Sequence, residues 1–179
     1  RQEMQQKMRD CGDNEIEREY WDKRQLVKKI NLNSLYGAIL NPGCRFFDIR
    51  IGQSVTLTGR CITKHMASKV NEIVAGKYDH KGESIVYGDT DSVYFTAHRT
   101  LKKEIQQGSI PWTKDSVVSL YDKISDEVNG SFKAFMTKAF HTPSTRGEVI
   151  KAGRELVASK GLFITKKRYA VLYYDKEGH

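Results

Sequence analysis

Apolar residues recur at helical spacing through three long stretches of the chain and alternate with polar ones in shorter regions. A charged helix opens the sequence, and a longer one is expected from about Glu15 to Leu40, stopped by Asn41-Pro42-Gly43. After a linker holding Phe46 and Phe47, the stripe Ile51, Val55, Ile62, Met66, Val70 and Ile73 predicts a core-facing helix from about Ile51 to Ala75. Beyond Gly108 and Pro111, the positions Val117, Tyr121, Ile124, Val128 and Phe135 mark another from about Lys114 to Phe140. The period changes to two around Ile85-Val86-Tyr87 and again where Val93 and Phe95 alternate with Ser92, Tyr94 and Thr96, which predicts a β-hairpin. Two extended stretches, Glu148 to Val157 and Gly161 to Asp175, close the chain. Helices interleaved with hairpins, without regular strand-helix-strand repeats, predict an α+β fold in which an antiparallel sheet packs against long helices.

The hairpin tip, Tyr87-Gly88-Asp89-Thr90-Asp91-Ser92, offers two carboxylates separated by one small residue. Gly88 tolerates unusual dihedrals, and Asp89 and Asp91 can turn their oxygens inward to their own backbone or outward to a hard cation. Such a turn is also what a solvated loop looks like. A pair of carboxylates on a rigid hairpin nevertheless suits phosphoryl or nucleotidyl transfer, in which two magnesium ions about 3.5–4 Å apart clamp the attacking and leaving oxygens.

A partner for phosphate is offered by Lys29-Ile30-Asn31-Leu32-Asn33-Ser34-Leu35-Tyr36-Gly37, within the second predicted helix. Lys29, Asn33, Tyr36 and Gly37 stand at i, i+4, i+7 and i+8, so an ammonium, an amide, a ring and bare backbone share one face. Leu32, Leu35 and Ile39 mark a second face, expected to pack on the domain body. The plain alternative is an amphipathic helix with a solvated lysine. Near the C-terminus, Lys166-Lys167-Arg168-Tyr169 lies in a run rich in cations and almost free of acids. As a strand, Lys166, Arg168 and Ala170 would share one face and Lys167, Tyr169 and Val171 the other, able to track a phosphate backbone and offer donors to a groove. A charged edge strand that resists aggregation would carry the same residues.

Composition agrees with a polyanionic partner: 179 residues, net charge +8 and pI near 9.3. Acids and bases balance from Arg1 to Lys28, whereas Arg146 to Arg168 is strongly cationic. Cys11, Cys44 and Cys61 lack metal-ligand spacing and an even count, so free thiols in a reducing compartment are expected. His65, His80, His98, His141 and His179 show no zinc spacing either. No apolar run reaches membrane-spanning length and the N-terminus does not read as a signal peptide, so no membrane partner and an intracellular location are expected.

Three of these segments together resemble the family B DNA polymerases of phages, bacteria, archaea and eukaryotes. Lys29, Asn33, Ser34, Tyr36 and Gly37 are similar to the family's Lys-x-x-x-Asn-Ser-x-Tyr-Gly helix at the base of the fingers, residues 87–92 match its palm hairpin letter for letter, and Lys166–Tyr169 resembles its primer-holding Lys-Lys-x-Tyr segment. The resemblance implies a helical fingers-base segment at 1–40 and part of a palm domain at 41–179, with a palm-type antiparallel sheet. It implies that Asp89 and Asp91 are catalytic metal ligands for two magnesium ions, manganese being able to substitute, with Asp91 bridging both. Lys29, Asn33 and Tyr36 would bind the incoming dNTP, and Lys166, Lys167, Arg168 and Tyr169 the primer–template DNA. Arg154-Glu155 is similar to the family's acidic position beside the metal site, which places Glu155 behind the ligands. The location implied is the cytoplasm or the replication site, in the host cytoplasm were the chain viral.

The departures from the family are equally specific. No segment resembles the palm strand that supplies another aspartate in an Asp-x-x-Ser-Leu-Tyr-Pro-Ser context, and Asp48, after Phe46-Phe47, lacks that setting. An upstream fingers helix, a proofreading exonuclease and most of the thumb have no counterpart either. The chain therefore reads as a fragment of a template-directed DNA polymerase, expected to be inactive until those segments join it, on this chain or another. Two alternatives stay open: a metal-dependent glycosyltransferase using Asp-x-Asp for a sugar nucleotide, which would need neither the Lys29 face nor the basic C-terminal run, and a non-catalytic nucleic-acid-binding module, which would leave the two carboxylates without a task. A reverse transcriptase hairpin would carry adjacent aspartates where Thr90 intervenes here.

Overall fold

The structure is a computed structural model that describes residues 2–109 and 111–176. Arg1, Gly178 and His179, which entered the charge, resemblance and histidine readings, lie outside the described residues. The chain divides into two compact units, Arg1–Thr58 and Gly59–His179, and the division falls inside a helix.

The first unit is helical. Helix α1 (Gln2–Asp10) packs on α2 (Glu15–Leu40), with Lys7 Nζ 4.8 Å from the centre of the Trp21 ring. Asn14 starts α2 by accepting the Glu17 N–H at 3.2 Å, the exchange expected of an N-cap. Helix α3 (Ile49–Ala75) begins at Asp48, whose carboxylate accepts the Arg50 backbone N–H at 2.9 Å and pairs with its guanidinium. That hydrogen-bonded pairing holds the Asp48 carboxyl at about 2 and commits it to capping. Gly52 is required where α2 meets α3, because a Cβ there would stand 2.1 Å from the Leu40 side chain. The face expected to be covered by Leu32 and Leu35 is not: both are 60% exposed, and no residue of α2 is buried. Among the described residues of this unit, α1 meets α2 near Trp21 and the start of α3 meets it at Tyr36 and Leu40. Ile51 and Val55, expected in the core stripe of α3, are 49% and 52% exposed.

The second unit holds the core. From Gly59 onward α3 packs on α5 (Lys114–Phe140) through Val70, Ile124, Val128 and Phe132, with Ile62, Met66 and Ile73 against them. The stripe of α5 runs Val117, Ile124, Val128, Phe132, Met136, and Phe135 lies beside it, stacked on His65 with ring centres 3.9 Å apart. Two antiparallel hairpins complete the α+β fold: β1 (Ile85–Asp89) with β2 (Ser92–Phe95), and β3 (Leu156–Thr165) with β4 (Arg168–Lys176). A short helix, α4 (Lys102–Gln106), follows the first hairpin, and α6 (Ser144–Gly147) precedes the second. Buried Asn71 fastens the loop into β1, donating to Lys77 O at 2.8 Å and accepting the Ser84 N–H at 3.2 Å.

The last two strands differ from expectation. Residues 148–155 are not a strand, because their polar groups are taken by α5: Asn129 exchanges two hydrogen bonds with the Ala152 backbone, at 2.9 and 2.7 Å, and Arg154 pairs with Asp122. The turn falls at Lys166-Lys167, with Lys167 at φ 63°, so these two lysines sit at a hairpin tip and do not alternate along a strand face.

His65 is buried between two hydroxyls. Ser131 Oγ donates to Val128 O at 2.6 Å, so it accepts from His65 Nε2 at 2.9 Å, which leaves Nδ1 to accept from Tyr78 Oη at 2.8 Å. This is the neutral imidazole, and burial, with Lys69 adding to it, lowers its pKa from the ordinary 6.5. Because the unfolded chain takes up this proton first, the stabilisation is complete above that ordinary value and is lost as pH falls through the folded one. Urea denaturation at about pH 7.5 and about pH 5.5 is expected to show lower stability at the acid value.

Candidate metal and nucleic-acid site

The acidic tip is built by the first hairpin. Asp89 pairs across from Ser92, and Thr90 takes φ 41°, a region where glycine is the usual residue. Two hydroxyls hold this turn: Ser92 Oγ donates to Asp89 O at 3.2 Å, and Thr63 Oγ1 of α3 stands 3.0 Å from Thr90 O. Asp89 is half-buried and accepts the Thr90 hydroxyl at 3.2 Å, while Asp91 is exposed. Among the described residues neither carboxylate is in an ion pair. Two carboxylates outside any ion pair fit magnesium, which commonly takes one or two carboxylates and completes its shell with water and substrate phosphate. They do not form a closed protein cage: among the described residues no group of three or more His, Cys, Asp or Glu is placed to hold an ion.

The basic turn stands against this hairpin. Tyr87, Tyr94, Phe163 and Tyr169 form one cluster in which every pair of ring centres lies between 5.2 and 6.0 Å. Tyr94 Oη donates to Tyr169 Oη at 2.9 Å, and the Lys167 backbone N–H donates to Tyr87 Oη at 2.8 Å. The bond to Tyr169, then burial, pushes the Tyr94 hydroxyl up to about 12. Lys166, Lys167 and Arg168 remain exposed at the surface of this cluster. Beside it opens a cleft of about 680 Å³, lined among others by Asp91, Glu155, Arg99 and Lys160. Glu155 is exposed in that cleft, next to Arg154, which bridges Asp122 and Asp175.

Lys29 and Asn33 are exposed on α2 in the first unit. Tyr36 lies on the same helix with its hydroxyl donated to Gly52 O at 3.3 Å, which fixes the direction of the ring. Sequence reasoning placed Tyr87, Tyr94 and Phe163 as strand formers and missed their shared role in joining the two hairpins. The available signal was Tyr87 itself, a large ring directly before the glycine of the acidic turn.

The fold and site define an α+β protein that carries an acidic hairpin tip and a basic turn on one body. The sequence profile of DNA polymerase family B matches residues 1–179, and the chain belongs to that family. It is similar to the DNA-directed DNA polymerase of Escherichia phage RB69, at 32% identity over 166 residues, which is 86% of this chain and 18% of that protein. The DNA-directed DNA polymerase of Enterobacteria phage T4 is 30% identical over 165 residues, covering 86% of this chain and 18% of its own length. The DNA polymerase delta catalytic subunit of Oryza sativa subsp. japonica is 31% identical over 161 residues, 89% of this chain and 12% of that subunit. The chain thus spans less than a fifth of the length of these relatives. No solved structure matches it significantly. Among the described residues, no helix is long and apolar enough to cross a membrane.

Proposed function

We propose that the chain is the metal- and primer-handling part of a template-directed DNA polymerase, which transfers a nucleotidyl group from a dNTP to a primer 3′ hydroxyl. Residues 1–40 serve as the base of the fingers and 41–179 as part of the palm. The observation that carries this reading is the hydrogen-bonded aromatic cluster, which seats a phosphate-seeking turn against the hairpin that carries the two carboxylates. The carboxylates are of no use on DNA alone, because they repel phosphates unless cations intervene. Asp89 and Asp91 hold two magnesium ions, or manganese, and Glu155 orients that site from the cleft wall. When bound, such a pair of ions lowers the pKa of the primer 3′ oxygen and offsets charge on the triphosphate. Lys29 neutralises triphosphate charge, Asn33 lines the nucleotide site, and Tyr36, held by Gly52 O, presents a flat ring to the nascent base pair. Lys166, Lys167, Arg168 and Tyr169 contact the primer–template DNA, the Tyr169 ring being stacked on Phe163.

On this reading the remaining polymerase segments are required for catalysis, since two carboxylates leave the ions poorly fixed and the triphosphate partly uncaged. The chain is expected to bind a primer–template duplex, with affinity falling steeply between about 50 and about 200 mM salt, and to show no primer extension until supplied with those segments. Fluorescence anisotropy with a labelled duplex and a gel-based extension assay check both parts. Turnover of a nucleotide sugar without duplex binding would decide for the glycosyltransferase instead.

A further inference from the structure

The two hairpins meet through four aromatic rings, and among the described residues two side-chain hydrogen bonds give the contact a direction. Stacked and tilted rings at 5.2–6.0 Å tolerate sliding, whereas a hydroxyl pair at 2.9 Å and an N–H to hydroxyl bond at 2.8 Å do not. The second bond falls on Lys167, whose φ of 63° is disfavoured for a residue with a side chain. The turn contains no glycine or asparagine to prefer that conformation, so it depends on an outside partner for its shape. That partner is Tyr87, the residue two before Asp89.

Resting on the polymerase reading, we propose that Tyr94 and Tyr87 are positioning residues, acting through Tyr169 and Lys167 to fix the basic turn relative to the Asp89–Asp91 tip, so that one joint sets where the duplex is gripped relative to that tip. Neither hydroxyl needs to touch DNA for this. Tyr94 donates a hydrogen bond to Tyr169 and so orients the ring next to Arg168 in sequence; Tyr87 accepts the Lys167 N–H and thereby sets the direction in which the lysine stem leaves the turn. The phenylalanine variants keep the rings and the packing but lose these two constraints.

The test measures duplex affinity of the full chain by anisotropy across a salt series, for the unaltered protein, Tyr94→Phe, Tyr87→Phe, Lys167→Ala and the double variant Tyr87→Phe/Lys167→Ala. Loss of one hydrogen bond's worth of ordering is expected to weaken binding by roughly three- to tenfold in each phenylalanine variant. If Lys167 is displaced from its phosphate contact, the slope of log affinity against log salt falls by about one contact, whereas a merely loosened fold lowers the active fraction and leaves the slope unchanged. In the Lys167→Ala background Tyr87→Phe is expected to have little further effect, the signature of residues acting through each other. Manganese affinity is expected to be unaltered by Tyr94→Phe, which reports that the acidic tip remains folded. Duplex binding that ignores both phenylalanine substitutions, or strictly additive losses in the double variant, would overturn the joint while leaving the polymerase reading intact. A chain that does not bind the duplex at all overturns that reading and the joint with it.

Discussion

Asp91→Ala is expected to reduce the manganese affinity of the chain by at least about tenfold, and to lower primer extension by the completed polymerase by on the order of a thousandfold. The structural reason is the freedom of this carboxylate. Asp89 is half-buried and already accepts the Thr90 hydroxyl, while Asp91 stands exposed beside the left-handed Thr90, with no ion pair among the described residues. An anion held in that state is poised to take a cation, and little of its capacity is spent on the fold. Removing it should therefore leave stability within about 0.5 kcal/mol, as for surface changes generally. Isothermal titration with manganese and a denaturation curve on the same preparation separate the two quantities. Unchanged metal affinity with unchanged stability would contradict the assigned site, and with it the metal half of the proposed mechanism.

What could be read before any coordinates depended on whether local signals decided the matter. The acidic hairpin was legible because Gly88, two turn-forming aspartates and flanking strand formers all act within six residues. The long helices were legible in extent from their apolar spacing and from Asn41-Pro42, which breaks one; the caps at Asn14 and Thr113 are local signals of the same kind that the spacing did not need. The C-terminal hairpin was not. Its turn has no residue that prefers a positive φ, and the segment before it is withheld from the sheet by Asn129 and Asp122, more than 20 residues away in sequence. For the site, charge and motif order picked out Asp89, Asp91 and Lys166–Tyr169, but the contact between them is made by rings whose strand propensity gave an adequate local explanation. Helix α2 was the hardest case for packing. Ile16, Leu26, Val27, Ile30, Leu32 and Leu35 are spread around its circumference, so the face marked by Leu32 and Leu35 was one apolar face among several, and all six are exposed.

Phe132 is expected to show the largest stability effect in the second unit, although periodicity pointed to Phe135. Following α5 from Ile124 and Val128, the next turn places residue 132 on the same line, and its side chain is 1% exposed against Val70, Ile124 and Val128. Phe135 lies at the edge of that line and finds the flat face of His65 instead. Phe132→Ala is therefore expected to cost about 3–5 kcal/mol, the usual loss when a fully buried ring leaves a cavity that neighbours cannot close. Leu32→Ala, at a residue 60% exposed on α2, is expected to change stability by less than about 0.5 kcal/mol. The comparison is best read unit by unit, since Trp21 reports on the first and Trp112 on the second. Urea unfolding followed by Trp112 fluorescence in a Trp21→Phe background should show the midpoint moving sharply for Phe132→Ala and remaining in place for Leu32→Ala. Equal shifts would mean that the core of the second unit is not centred on Phe132. The consequence for function is direct: the hairpin that carries Asp89 and Asp91 joins this core through Ile85 and Phe95, so a collapse around Phe132 would move the acidic tip without touching either carboxylate.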